Sequence, residues 1–172
     1  MYSEIGSEFW DSCGGINTSL KDLPDWLDWG VENRFLATGR TALDHIIRDI
    51  QSTQTFQRAY LPSYCCQTMI DLFLAHNIEV EFYDILVNKD GLIEINLEQD
   101  HNCDAVLIMN YFGFIQSDYS AIIEHLKMKQ QVVIIEDITH SLFCTKRFHS
   151  ISDYTFASFR KWFATPGGAI AA

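Results

Sequence analysis

Two short apolar runs, Ala105-Val-Leu-Ile-Met109 and Gln131-Val-Val-Ile-Ile135, constrain the fold of this chain more than any other feature. Neither alternates apolar with polar residues. Each therefore reads as a strand covered on both faces, the pattern of a parallel sheet packed between helices. The segment between them carries a helix: Ser117 or Asp118 supplies its N-cap, and Ile122, Ile123 and Leu126 form an apolar face. A crossover of this kind is what parallel neighbours need, since a tight hairpin returns the chain antiparallel. The alternation extends along the chain. Ala42–Ile50 sets Ala42, Ile46, Ile47 and Ile50 on one helical face, Arg58–Leu61 is a strand stopped at Pro62, and Tyr64–Leu74 is a second helix. Ile78–Tyr83 reads as a strand with one wetter face and Thr155–Ser158 as another strand. The expected fold class is α/β, a three-layer α/β/α arrangement around a mainly parallel sheet. Ligands in such sheets bind at the carboxyl ends of the strands.

Residues 1–34 are irregular and rich in Gly, Asp and Trp, with one short helix expected at Asp25–Trp29 between Pro24 and Gly30. Residues 35–172 make up the main domain. Gly168-Ala-Ile-Ala-Ala172 reads as the opening of a further strand, so the expectation is an N-terminal portion of a longer protein. The formal charge of −11, from 23 acidic and 12 basic side chains, argues against nucleic acid and anionic membranes as partners. Any anion site must therefore be local. The five cysteines are an odd number without Cys-x-x-Cys spacing, and the six histidines are scattered, so no metal site is expected. The chain shows neither a signal-peptide pattern nor an apolar stretch of membrane-spanning length, and the expected location is cytoplasmic.

The polar residues of interest fall just after strands or at helix starts. In Thr38-Gly39-Arg40-Thr41, Gly39 permits close backbone approach, and the amides of Gly39, Arg40 and Thr41 can receive an anion at a helix N-terminus. The plainer alternative is a Thr-capped helix after a loop glycine. Tyr64, after the Arg58–Leu61 strand, can lay its ring over a flat heterocycle or serve as a core tyrosine. Glu136 and Asp137 end the strand that begins near Gln131; being neighbours they point to opposite faces and cannot act as a carboxylate pair. One of them can bind a protonated ring nitrogen, with His140 beside the ring; equally, Asp137 can be a helix cap and His140 a solvated residue. Ser158-Phe-Arg-Lys161, followed by Pro166-Gly167-Gly168, sets a hydroxyl three residues ahead of an amine. A hydroxyl on a phosphate and an amine forming an imine with an aldehyde are what pyridoxal phosphate (PLP) requires. A lone lysine is more often solvated.

Together these segments resemble the DegT/DnrJ/EryC1/StrS family of PLP-dependent sugar aminotransferases. The resemblance covers roughly residues 34–172 and rests on Thr38-Gly-Arg-Thr-Ala-Leu43, Leu61-Pro-Ser-Tyr-Cys-Cys66, Asn110-Tyr-Phe-Gly113, Ile135-Glu-Asp-Ile-Thr-His140 and Ser158-Phe-Arg-Lys161. It implies the large domain of the aspartate-aminotransferase-like fold, without the small C-terminal domain. Gly39 and Arg40 would hold the phosphate through their amides and Ser158 through its hydroxyl, while Tyr64 would lie beside the ring. Asp137 would pair with the pyridine nitrogen and His140 with the phenolic oxygen. Lys161, buried and with a depressed pKa, would form the imine and then shuttle the proton. The family implies glutamate as amino donor, a nucleotide-linked keto-sugar as acceptor, and a homodimer at full length. Arg40-Thr41 and the short Ser-x-x-Lys spacing depart from the commoner family pattern. Lys161 sets the chain apart from related dehydratases that carry histidine there. Two other readings are a truncated, non-catalytic fragment of such an enzyme and an unrelated α/β binding domain in which Asp137 holds a metal.

Overall fold

The computed structural model describes residues 29, 32–98, 101–113, 120–144 and 152–172. Its strands are β1 (Arg34–Leu36), β2 (Arg58–Pro62), β3 (Glu79–Val87), β4 (Ile93–Asn96), β5 (Ala105–Met109), β6 (Val133–Asp137), β7 (Tyr154–Ser158) and β8 (Ala169–Ala171). They join one sheet in the order β1-β8-β7-β6-β5-β2-β3-β4. β2 pairs in parallel with β3 and β5, β5 with β6, and β6 with β7. The pairs β3–β4, β7–β8 and β1–β8 are antiparallel. The helices are α1 (Gly39–Thr53), α2 (Gln67–Ala75) and α3 (Ser120–Gln130).

Successive strand residues feed opposite cores, as the pleat requires. Ala59, Leu61, Ala105, Leu107, Ile135 and Phe156 pack with Leu43, Ile46, Ile47 and Ile50 of α1 and with Met69 and Phe73 of α2. Tyr60, Val106, Ile108 and Ile134 point the other way, in one cluster with Ile123 and Leu126 of α3. The three-layer, mainly parallel architecture anticipated from the two apolar runs is present. Each fully buried Leu or Ile contributes about 1.5–3 kcal/mol, so both layers hold the sheet strongly. β2 has β3 on one side and β5 on the other, which makes its carboxyl end a switch point where helices diverge and a crevice opens.

Several boundaries differ from the sequence reading. β2 continues through Pro62, and the extended backbone at Cys66 (φ −71°, ψ 132°) delays α2 to Gln67, leaving Tyr64 in a loop. Left-handed Gln131 (φ 54°) follows α3, so β6 starts at Val133 and ends at Asp137. The β3–β4 hairpin was not anticipated. Its turn is closed by the Asn88 side-chain carbonyl, which accepts the amides of Asp90 (3.0 Å) and Leu92 (2.9 Å), with Gly91 at φ 78°. The antiparallel pairing of β1 with β8 was not anticipated either, and it joins residues far apart in sequence. The helix expected at Asp25–Trp29, Trp29 excepted, and the caps Ser117 and Asp118 lie outside the described residues. Trp29 is buried in a cluster with Ile138, Leu142, Ala157 and Ile170. Among the described residues no helix is long and apolar enough to cross a membrane.

Candidate active site

The ends of β2, β5, β6 and β7 and the starts of α1 and α2 enclose a cavity of about 400 Å³. Gly39, Arg40, Tyr64, Asp137, His140, Ser158 and Lys161 all line it, whereas Thr41 and Glu136, also considered from the sequence, do not.

At the start of α1, Thr38 is the N-cap. Its amide donates to Thr41 Oγ1 (2.9 Å) and its hydroxyl accepts the Thr41 amide (3.2 Å). This reciprocal box engages the Thr41 amide, which the sequence reading had counted among the free donors. Gly39 and Arg40 remain as the amides of the open first turn. A Cβ on Gly39 would stand 3.1 Å from Ser158 Cβ, so glycine is what lets the turn and the serine sit side by side. The approach to α1 is fixed from the far end of the site. The Gly168 amide donates to the Ala37 carbonyl at 2.6 Å, and a Cβ on Gly167 would come within 2.7 Å of that same oxygen.

β6 delivers two acids to different surroundings. Glu136 is fully buried and receives the Asn110 side-chain amide (2.7 Å) and the Ser152 hydroxyl (2.6 Å), a satisfied structural position. Asp137, 6% exposed, faces the cavity and accepts the Thr139 amide on Oδ1 at 2.8 Å. Burial pushes its carboxyl above the usual range, while the Thr139 bonds and the charges of His140 and Lys161 pull the other way. A cationic N–H reaching the cavity side of this carboxyl would offset the burial.

Thr139 is the residue that sequence reasoning missed. Its amide holds Asp137, its Oγ1 accepts the Ser158 amide (3.1 Å), and its carbonyl accepts the Trp162 indole N–H. One residue thereby links the acid, the serine and the segment bearing the lysine. An Asp followed two residues later by a Thr was the available signal, because Asp side chains bond amides two residues on.

His140 is half-buried. Its Nδ1 accepts the Phe112 amide at 3.3 Å, and the two rings stack at 5.2 Å and 10°. Burial holds the imidazole below its ordinary pKa; Asp137 opposes this and Lys161 adds to it. Tyr64 stays largely exposed at the rim (64%), its ring 5.8 Å from that of Tyr111, whose hydroxyl donates to the Tyr64 carbonyl at 2.5 Å. Lys161 ends a 3-10 turn (Phe159–Lys161) directly after β7 and is exposed at the cavity mouth, contrary to the burial expected of it. Cys66 also lines the cavity, its thiol shifted below the ordinary range by a hydrogen bond with Thr68, with Lys161 and Arg40 acting in the same direction. Among the described residues no three His, Cys, Asp or Glu side chains cluster so as to hold a metal ion.

No protein-family model matches the chain, and no curated sequence does. Solved structures do. Cystalysin from Treponema denticola, which contains PLP, matches at 16% identity over 85% of this chain and 44% of its own, with a TM-score of 0.63. Spr1654 of Streptococcus pneumoniae in its PLP form, a sugar aminotransferase by designation, matches at 18% identity over 81% of this chain and 41% of its own (TM-score 0.64). The fold is that of the PLP-dependent aminotransferases. A third similar structure is GDP-4-keto-6-deoxymannose-3-dehydratase with bound GDP-perosamine, at 18% identity over 81% of this chain and 39% of that one (TM-score 0.63). The chain spans about two fifths of the length of these proteins.

Proposed function

We propose that this chain carries the PLP-binding half of an aminotransferase active site, with Lys161 as the amine that holds the cofactor. The observation that carries the reading is the convergence of Lys161, Asp137, Ser158, His140 and the first turn of α1 on one cavity, although these residues come from three separate stretches of sequence.

The residues fit the cofactor's chemistry. Bound there, PLP supplies an aldehyde for an amine and a cationic ring that withdraws electrons from the carbon next to nitrogen. The amides of Gly39 and Arg40 and the Ser158 hydroxyl would hold the phosphate, aided by the positive end of the α1 dipole. Asp137 would hold a proton on the ring nitrogen, and its burial makes that partner favourable. His140 would donate to the ring oxygen and Tyr64 would border the ring at the rim. Lys161 stands at the mouth, where its amine would reach both cofactor and substrate and carry a proton between them.

The finer reading is that the whole protein moves an amino group from glutamate to a nucleotide-linked keto-sugar, as a cytoplasmic homodimer. Its support is the motif resemblance together with the sugar-directed proteins among the similar structures. The test is spectroscopic. PLP added to the protein is expected to give the visible absorption band of a lysine imine, and Lys161→Ala is expected to abolish it. The same band persisting in Lys161→Ala would refute the assignment.

A further inference from the structure

We propose that Phe112 is a positioning residue for His140, its backbone amide selecting the imidazole tautomer with hydrogen on Nε2 and its ring covering one imidazole face. What the Nε2–H then meets rests on the PLP reading above; the tautomer is a property of this chain alone.

Phe112 has φ 53° and ψ 17°, the left-handed region that residues with a Cβ seldom adopt. Burial does not account for it, since its side chain is 56% exposed. The chain on its N-terminal side is fixed. Asn110 is buried, with its amide on the Asp137 carbonyl (3.2 Å) and its side chain on Glu136 (2.7 Å) and Ser141 (3.3 Å). Tyr111 is buried and bonded through its hydroxyl to Tyr64. With these neighbours held, the unusual turn at Phe112 presents its amide to His140 Nδ1 at 3.3 Å and lays its ring parallel to the imidazole.

An amide N–H can donate only to a ring nitrogen with a lone pair, so Nδ1 is unprotonated and the hydrogen of the neutral ring sits on Nε2. Adding a proton at Nδ1 would set two donors against each other. Burial disfavours the imidazolium in the same sense, and the charged neighbours that act on His140 are Asp137 and Lys161. The result is one fixed donor, Nε2–H, beside a cavity that His140 lines. Under the PLP reading its acceptor is the ring oxygen of the cofactor.

Nitrogen-15 NMR of the cofactor-free protein reads this directly. We expect His140 Nδ1 to resonate as unprotonated and Nε2 as protonated, with a through-hydrogen-bond coupling between the Phe112 amide nitrogen and Nδ1. Phe112→Gly tolerates the left-handed backbone and keeps the amide; it should preserve the tautomer while weakening PLP binding about threefold to tenfold through loss of the ring. A protonated Nδ1 in the unsubstituted protein, or absence of the coupling, would overturn the proposal, and unchanged PLP affinity in Phe112→Gly would overturn the role of the ring. The expected tautomer in a protein that fails to bind PLP would sink the cofactor reading and leave this inference standing. PLP binding with the proton on Nδ1 would do the reverse.

Discussion

Aspartates occupy both ends of the central strands, and the two ends use them differently. Before β5, Asp104 Oδ2 accepts the amides of Gln57 and Arg58, each at 2.8 Å. Before β7, Asp153 accepts the Ile134 amide at 2.8 Å and the Lys127 ammonium at 2.6 Å. These carboxylates stitch strand starts together. At the other end of β6, Asp137 is more deeply buried than either, is held by Thr139 through its amide and side chain, and faces a cavity lined by Arg40, Arg160 and Lys161. The same side chain is thus a fastener where it ties strand amides and a lysine together and a candidate ligand-binding group where it is buried against a cavity.

Substituting both kinds of aspartate sharpens the contrast. Asp137→Asn is expected to weaken PLP binding by about tenfold to a hundredfold, the range for losing a charge-assisted hydrogen bond, with little loss of stability. Asp104→Asn should do the opposite, costing about 1–3 kcal/mol in denaturant unfolding while leaving PLP affinity unchanged. Equal effects of the two substitutions on cofactor affinity would erase the distinction. A pH titration probes the same difference. The folded-state pKa of Asp137 is raised, so its contribution to stability is fully present below the ordinary carboxylate pKa and is lost as pH rises through the raised value. Cofactor-free protein should show that decline in urea unfolding, and Asp137→Asn should not. The smallest effect is expected at Thr139→Val, where loss of the hydroxyl that accepts the Ser158 amide should cost about 1 kcal/mol; Thr139→Ser should restore it.

Much of this was legible in the sequence because the decisive signals are local. The continuous apolar runs marked β5 and β6, Thr38 and Gly39 marked the start of α1, and an acid ending a buried strand marked Asp137. The opposed directions of Glu136 and Asp137 follow from the pleat alone. The β3–β4 hairpin, though local, was missed because its turn is closed by the Asn88 side chain; other hidden features depend on pairing between distant segments. β1 meets β8 across most of the chain, and Thr139 acquires its role only when β6 and β7 lie side by side. The left-handed turn at Phe112 has no glycine to announce it, being imposed by the anchoring of Asn110 and Tyr111. The exposure of Lys161 agrees with the plainer reading of a lone lysine and not with the burial the resemblance implied; it is set by where the 3-10 turn after β7 projects.

The most direct test traps the linkage chemically. Borohydride reduction of the PLP-treated protein, followed by peptide mass mapping, should place a single pyridoxyl group on Lys161. Modification concentrated on another lysine, such as Lys89 or Lys127, or no modification at all, would contradict the account.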